Sequence, residues 1–197
     1  MLSLCRAYVV AQTVGQDRTL RLLAERVGFS HVGSARDGDP IAEISPRRLD
    51  FFFLHHRLGE ETMQNVIATI RSSPRLSLRF APIILVTSDQ PLETILNYIE
   101  LGFDDIVTLP AKPAELMRRF IGQLNTNQVY VETDFYLGPD RRRFEAPGHS
   151  DPRRTGTTTF QRFTIRRNPA NGVQVLRHEV VSRPFQNARR PTQVAMI

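Results

Sequence analysis

The chain has 197 residues, of which 41% are hydrophobic, enough to bury the core of one ordinary domain that carries an extension. It has no apolar run of about 18 residues, which excludes a membrane-spanning helix, and its first residues lack the pattern of a signal peptide. Cys5 is the only cysteine, so an internal disulfide is excluded, and we expect a cytoplasmic protein.

The net charge of +6 is concentrated in the C-terminal part of the chain. Residues 126–197 contain 12 arginines and 6 acidic residues, whereas the acidic and basic residues of the preceding part balance each other. Such asymmetry favours an acidic partner for the C-terminal part. However, Lys112 is the only lysine, so arginine is the usual base of this chain and a single arginine carries little information.

Alternating strands and helices are predicted between residues 5 and 124. Apolar runs of strand length occur, in chain order, at CRAYVVA, HVGSA, LDFFFLHH, APIILVTS and DDIVTL. Helical spacing occurs between or after them at DRTLRLLAERVGF, EETMQNVIATIRS, PLETILNYIELGF and PAELMRRFIGQL. In PLETILNYIELGF we expect the apolar residues to face inward: Leu92, Ile95, Leu96 and Ile99. This order predicts an α/β fold with a five-stranded parallel, doubly wound sheet over residues 1–125.

The character of the sequence changes after Asn125. We expect residues 126–157 to form a basic linker, because 138–157 are rich in Gly, Pro, Asp and Arg and have no periodicity. Residues 158–197 contain two strand-like runs separated by the turn sequence NPANG, followed by a frayed tail. The extension is therefore predicted to be partly disordered and to hold a β-hairpin, which must dock on something because an isolated hairpin is marginally stable in water.

Residues 5–124 resemble the receiver domain of bacterial two-component response regulators. The resemblance rests on AYVVAQTVGQDRTLRLLAERVGF, on the turn at Asp37-Gly38, on APIILVTS, which ends in Thr87, and on ELGFDDIVTLP, in their order and spacing. It implies the flavodoxin-like receiver fold and a role in signal transduction.

The phosphorylation chemistry of the receiver family is missing from this sequence. The resemblance implies a magnesium-binding acid pair after the first strand, an acceptor aspartate after the third, a hydroxyl after the fourth and a lysine after the fifth. These positions hold, in this order, Ala11 and Gln12, His55, Thr87, and Leu109. Without three oxygen ligands Mg²⁺ cannot be held, so we expect neither a metal, a cofactor nor enzymatic activity, and predict phosphorylation-independent signalling.

Adjacent histidines at His55 and His56 allow two other interpretations, a metal site and a phosphohistidine. Neighbouring strand residues point to opposite faces, which disfavours a shared ion, and no further ligand lies at a suitable spacing. We expect His55 to fill the vacated pocket as a neutral polar group.

Two function classes remain. The first is an adaptor that binds signalling proteins, such as a histidine kinase or another regulator, through the family's fourth helix, fifth strand and fifth helix; the candidate contact residues are Tyr98, Ile106, Met117 and Phe120. The second is an effector whose extension binds a cyclic dinucleotide or nucleic acid. The candidate anion-binding residues are Arg141, Arg142, Arg143, Arg153 and Arg154. Nucleic acid is disfavoured because the extension has no DNA-binding helix, and a solvated charge run is the simplest alternative.

Overall fold

The computed structural model describes residues 1–38, 48–140 and 158–183. Within these ranges, no helix combines the length and apolar character that a membrane span requires. The described residues form two sheets, one parallel and one antiparallel.

The predicted five-stranded parallel sheet is confirmed. Its strands are β1 (Arg6–Val10), β2 (His31–Ser34), β3 (Asp50–His55), β4 (Ile83–Thr87) and β5 (Asp105–Thr108), in the spatial order β2-β1-β3-β4-β5. The central strands β1, β3 and β4 are almost entirely buried, because helices cover both faces of the sheet.

Helices flank the sheet on both sides. They are α1 (Val14–Arg26), α2 (Glu60–Arg71), the single turn α3 (Leu76–Arg79), α4 (Leu92–Glu100) and α5 (Pro113–Ile121). Alternate residues of β3 face opposite layers: Phe51 and Phe53 pack with α1 and α5, whereas Phe52 packs with α2. A capping box between Thr13 and Gln16 begins α1 directly after β1 and so fixes the turn that follows the strand.

The C-terminal part forms a second, antiparallel sheet. Its strands are β6 (Asn127–Thr133), β7 (Tyr136–Pro139), β8 (Thr158–Asn168) and β9 (Gly172–Arg183), in the order β7-β6-β8-β9. The predicted hairpin is confirmed as β8 and β9. The linker expected over 126–157 is wrong for residues 127–133 and 136–139, which are strands, because pairing with β8 lets β6 bury Tyr130.

The antiparallel sheet docks on the amino ends of the parallel strands. Tyr130, Leu137 and Ile165 belong to the same apolar cluster as Phe120 and other residues of the parallel domain. The Phe80 ring, three residues before β4, lies edge-on to Tyr130 with ring centroids 5.3 Å apart and also packs on Phe163. The hydrophobic core therefore continues across residue 125.

A buried ion cluster crosses the same boundary. Asp104, which directly precedes β5, accepts hydrogen bonds from Arg71 at 2.7 Å and from Arg167 of β8 at 2.6 Å. The Tyr130 hydroxyl and the backbone N–H of Ile83 also donate to this carboxylate. Burial opposes ionisation, but the two guanidinium groups outweigh it and lower the pKa of Asp104. Arg167 also donates to the Phe80 carbonyl at 2.8 Å and to Gln123 at 3.1 Å.

Candidate functional site

The carboxyl ends of the parallel strands bring together the positions at which a receiver would carry its chemistry. Val10 pairs with Leu54 and His55 pairs with Val86, so Ala11 and His55 lie at neighbouring strand ends. The backbone N–H of Leu109 donates to the Thr87 carbonyl at 2.7 Å, which joins the ends of β4 and β5. This edge of the sheet is opposite to the one on which the C-terminal sheet docks.

The end of β1 offers no carboxylate. Ala11 is buried and contributes only a methyl group, and the Gln12 side chain is exposed. The Gln12 backbone N–H donates to the Gln16 side chain at 3.1 Å, and its carbonyl accepts from the Arg36 guanidinium at 2.8 Å. A cation therefore lies beside the position where a receiver would need two acids.

His55 is half-buried at the end of β3. Burial, reinforced by the nearby His56 and Arg57, lowers the pKa of His55 to about 4, so its ring is neutral at pH 7. Its Nδ1 accepts a hydrogen bond from the backbone N–H of Arg57 at 3.2 Å, which agrees with a neutral ring.

The two histidines lie closer together than expected from an extended strand. β3 ends at His55 and the chain turns into a 3-10 helix at His56, so the ring centroids are only 4.7 Å apart. The expectation that they point to opposite faces is thus wrong. Within the part of the chain that the structure describes, no group of three or more His, Cys, Asp or Glu side chains is placed to hold a metal ion.

The remaining two positions are packed into the structure. Thr87 is buried and its hydroxyl donates to the Ser88 carbonyl at 3.0 Å. Leu109 is partly buried against the core, and its bond to Pro110 is cis. Lys112 lies three residues further on, exposed at the N-cap of α5.

The predicted partner face is only partly at the surface. Tyr98 and Ile106 are half-buried, and Met117 is 39% exposed. Phe120, however, is fully buried and cannot contact a partner. It follows Leu116 by four residues on the inward side of α5, and its ring packs 5.4 Å from that of Phe53.

Sequence reasoning missed the exposed apolar surface of α4. We expected its apolar residues to face inward, but Leu92 is 73% and Leu96 50% exposed, and no residue of α4 is fully buried. Ile95, Tyr98 and Ile99 are half-buried. The spacing could not reveal this exposure, because these apolar residues follow the i, i+3, i+4, i+7 pattern of an ordinary buried stripe.

The candidate anion-binding arginines lie outside the described residues: Arg141, Arg142, Arg143, Arg153 and Arg154. Their role stays a prediction, and nothing found supports a cyclic dinucleotide as ligand.

No protein-family model matches this chain. It is similar to the alginate biosynthesis transcriptional regulatory protein AlgB of Pseudomonas putida, with 26% identity over 126 residues. The AlgB protein of Pseudomonas syringae pv. tomato is equally similar. Each match covers 64% of this chain but only 27% of the relative, so the chain spans about a quarter of the length of these relatives.

Solved structures with a similar backbone fold include a putative pilus assembly protein from Burkholderia thailandensis, with a TM-score of 0.46 and 16% sequence identity. The match covers 60% of this chain and 96% of that protein chain. Another is the receiver domain of a sensor histidine kinase from Pseudomonas aeruginosa, with a TM-score of 0.46 and 21% identity over 60% of this chain and 98% of that one.

Three features define the N-terminal domain. They are the strand order β2-β1-β3-β4-β5, the helices on both faces of the sheet, and the order and spacing of the sequence motifs between AYVVAQ and ELGFDDIVTLP. The strand ends that follow these motifs hold Ala11, Gln12, His55, Thr87 and Leu109. The N-terminal part of this chain therefore has the five-stranded flavodoxin-like fold that the resemblance to receiver domains implies, and four of the five phosphorylation-site positions implied by that resemblance hold other residue types.

Proposed function

We propose that this receiver domain signals by binding a protein partner and does not accept a phosphoryl group. The observation that carries the proposal is the chemistry of the strand ends, where Ala11, Gln12 and His55 supply no carboxylate. Mg²⁺ needs hard oxygen ligands in near-octahedral geometry, and a methyl group, a solvent-exposed amide and a neutral imidazole are not such a set. Leu109 cannot neutralise a transferred phosphoryl group as a lysine would.

A phosphodonor assay on the full chain tests this. Wild type and the variant Ala11→Asp/Gln12→Asp/His55→Asp/Leu109→Lys are incubated with acetyl phosphate and Mg²⁺, and intact mass is measured. We expect no adduct on wild type, because its strand ends lack carboxylate ligands for Mg²⁺ and an acceptor aspartate, and Leu109 stands in the position of the lysine. The variant is expected to bind Mg²⁺ and gain a hydroxylamine-labile acyl phosphate, since Thr87 is already present at the end of β4.

The result that overturns the proposal is equally specific. A stoichiometric adduct on wild type that disappears in His55→Ala would make His55 a phosphoryl acceptor. Circular dichroism of every variant verifies that an absent adduct does not come from an unfolded chain.

We place the partner surface on α4 and the neighbouring edge of the sheet. Leu92 and Leu96 are the most exposed large apolar side chains of α4, and the half-buried Tyr98 and Ile106 lie on α4 and β5. Exposed clustered apolar side chains are typical of protein-protein contact sites. The partner would be another signalling protein, such as a histidine kinase or a regulator, that offers an apolar surface of its own.

Leu96→Asp tests the partner surface, with Leu22→Asp as its matched control. Leu22 is also an exposed leucine, 41% accessible, but it lies on α1, in the helical layer on the other face of the sheet. We expect the charge on α4 to abolish capture of a partner from native cells by the full chain, and the charge on α1 to leave it intact. Equal capture by both variants would remove α4 from the interface.

A further inference from the structure

The longest strand among the described residues lies at an edge of the antiparallel sheet. β9 spans Gly172–Arg183 and, among the described residues, pairs only with β8. An edge strand presents a row of backbone N–H and C=O groups that can pair with another strand. Two large apolar side chains also face solvent here, Leu176 at 46% and Val180 at 66% exposure.

A β-bulge at Leu176 separates this residue from the ladder with β8. Thr164 pairs with Arg177 and Ile165 pairs with Val175, so Leu176 has no partner across β8. The bulged residue adds apolar surface to an edge that Val180 already makes apolar. Bulges and charged side chains often prevent an edge strand from pairing with another chain. The signs of the charges on β9 therefore decide whether this edge repels or accepts a second strand.

The charges on β9 are self-complementary. Arg177 and Glu179 flank His178, carry opposite signs and lie on the same face of the strand, where they form an ion pair of 2.6 Å. In an antiparallel pairing of two β9 strands around a twofold axis at His178, Arg177 of each copy lies opposite Glu179 of the other. The same register places Leu176 opposite Val180. A protective edge would instead set like charges against each other, which destabilises pairing.

The side chain of His178 does not obstruct a twofold axis at this position. Its ring stacks on Phe163 of its own chain with centroids 4.4 Å apart and an interplanar angle of 4°, and it bonds to Gln161 at 2.7 Å. The side chain at the centre of the register is thus held against its own sheet. An isologous contact of this kind closes on itself and gives a dimer, since the same patch serves both copies.

We propose that a second copy of this chain pairs with β9 in antiparallel register around His178, so that two four-stranded sheets join into one of eight strands. The contact involves a single strand pair, and the dimer therefore belongs to the weak class of interfaces. It should form at protein concentrations on the order of 100 µM, in the range of weak association constants.

Sedimentation velocity on the full chain, from about 5 to about 300 µM at low salt, tests the proposal. Wild type should shift toward a dimer as concentration rises. Arg177→Glu should be monomeric because the new acid faces Glu179 of the other copy, and Glu179→Arg should be monomeric because the new base faces Arg177. Arg166→Glu, at an exposed position of the interior strand β8, is the control and should dimerise like wild type.

Mixing the two monomeric variants gives the decisive result. In a mixed dimer, both cross-strand pairs combine opposite charges, so an equimolar mixture of Arg177→Glu and Glu179→Arg should sediment as a dimer although neither does alone. Wild type that stays monomeric throughout the concentration range overturns the proposal. So does a dimer that survives both single charge reversals, because it would use a different surface.

Discussion

Arg167 links the two sheets through a buried ion pair with Asp104, and Arg167→Met removes its charge while keeping a long side chain. The guanidinium group of Arg167 is buried, with 1% of the side chain exposed, and donates to Asp104, Tyr130, Gln123 and the Phe80 carbonyl. Breaking a buried ion pair by removing one partner costs about 3–5 kcal/mol. Asp104 keeps its bonds to Arg71 and to the Ile83 N–H, so we expect the lower end, about 3 kcal/mol.

Arg166→Met is the matched control, since it makes the same change one residue away. Arg166 lies on the opposite face of β8, is exposed, and bonds to the Asn127 side chain at 2.9 Å. Such a surface substitution should change stability by no more than about 0.5 kcal/mol.

Urea unfolding followed by circular dichroism and tyrosine fluorescence measures both variants. With an m-value of about 2 kcal/mol/M, a loss of about 3 kcal/mol lowers the midpoint by roughly 1.5 M. The Arg166→Met midpoint should stay near that of wild type. Equal midpoints for the two variants would refute the conclusion that the ion cluster joins the sheets.

Three further predictions concern stability. A chain truncated after residue 125 should be much less stable than residues 1–183, with a broad melting transition and dye-accessible apolar surface, because it lacks Tyr130 and Ile165 of the shared core. An equally sharp, equally high transition would show that residues 1–125 fold alone. Phe120→Ala should cost about 3–5 kcal/mol in urea unfolding and Met117→Ala less than about 1 kcal/mol, because only Phe120 is fully buried. Asp50 and His55 should have opposite effects on the free energy of unfolding below pH 7. Burial raises the pKa of Asp50 to about 6, so Asp50 adds about 3 kcal/mol to this free energy near pH 4, and the contribution is lost as pH rises to 6. The pKa of His55 is lowered to about 4, so the free energy of unfolding falls by roughly 1–2 kcal/mol, after allowance for the exposure of His55, as pH falls from 6.5 to 4. In urea unfolding at about pH 4.5 and 7, His55→Gln should therefore gain stability relative to wild type on acidification and Asp50→Asn should lose it; the reverse order would contradict the assigned protonation states.

The parallel sheet could be predicted because its strands are buried on both faces. Segments such as DFFFLH and PIILVT are continuous apolar runs, and their lengths and bounding residues leave little choice of structure. The resemblance to receiver domains then indicated which residues to examine at the strand ends. Burial within a helix was harder to predict, because periodicity identifies an apolar stripe but not how much of it a neighbour covers. Leu96 was therefore expected inside and Phe120 outside, and both expectations were wrong.

The second sheet was only partly predictable, for a different reason. Apolar and polar residues alternate only weakly in β6, so its pairing becomes evident only when β8 is known to lie beside it. Arg167 looked like one arginine among many in a chain that uses arginine almost exclusively. Its burial follows from three-dimensional proximity to Asp104, 63 residues earlier in the chain, and no local pattern reports that distance.

Asp104 shows that the two ends of the parallel sheet differ in chemistry. The pair Asp104-Asp105 looked in the sequence like a simple turn before β5, yet its first member carries a buried charge that two guanidinium groups compensate. At the opposite edge, the end of β1 offers Ala11 and Gln12 instead of carboxylates, and the cation of Arg36 lies beside it. Buried carboxylate chemistry is thus present at the amino ends of the strands, where it holds the C-terminal sheet. Because Asp104 directly precedes β5 and follows the loop after α4, a partner bound to α4 and β5 would contact the elements that this ion cluster anchors.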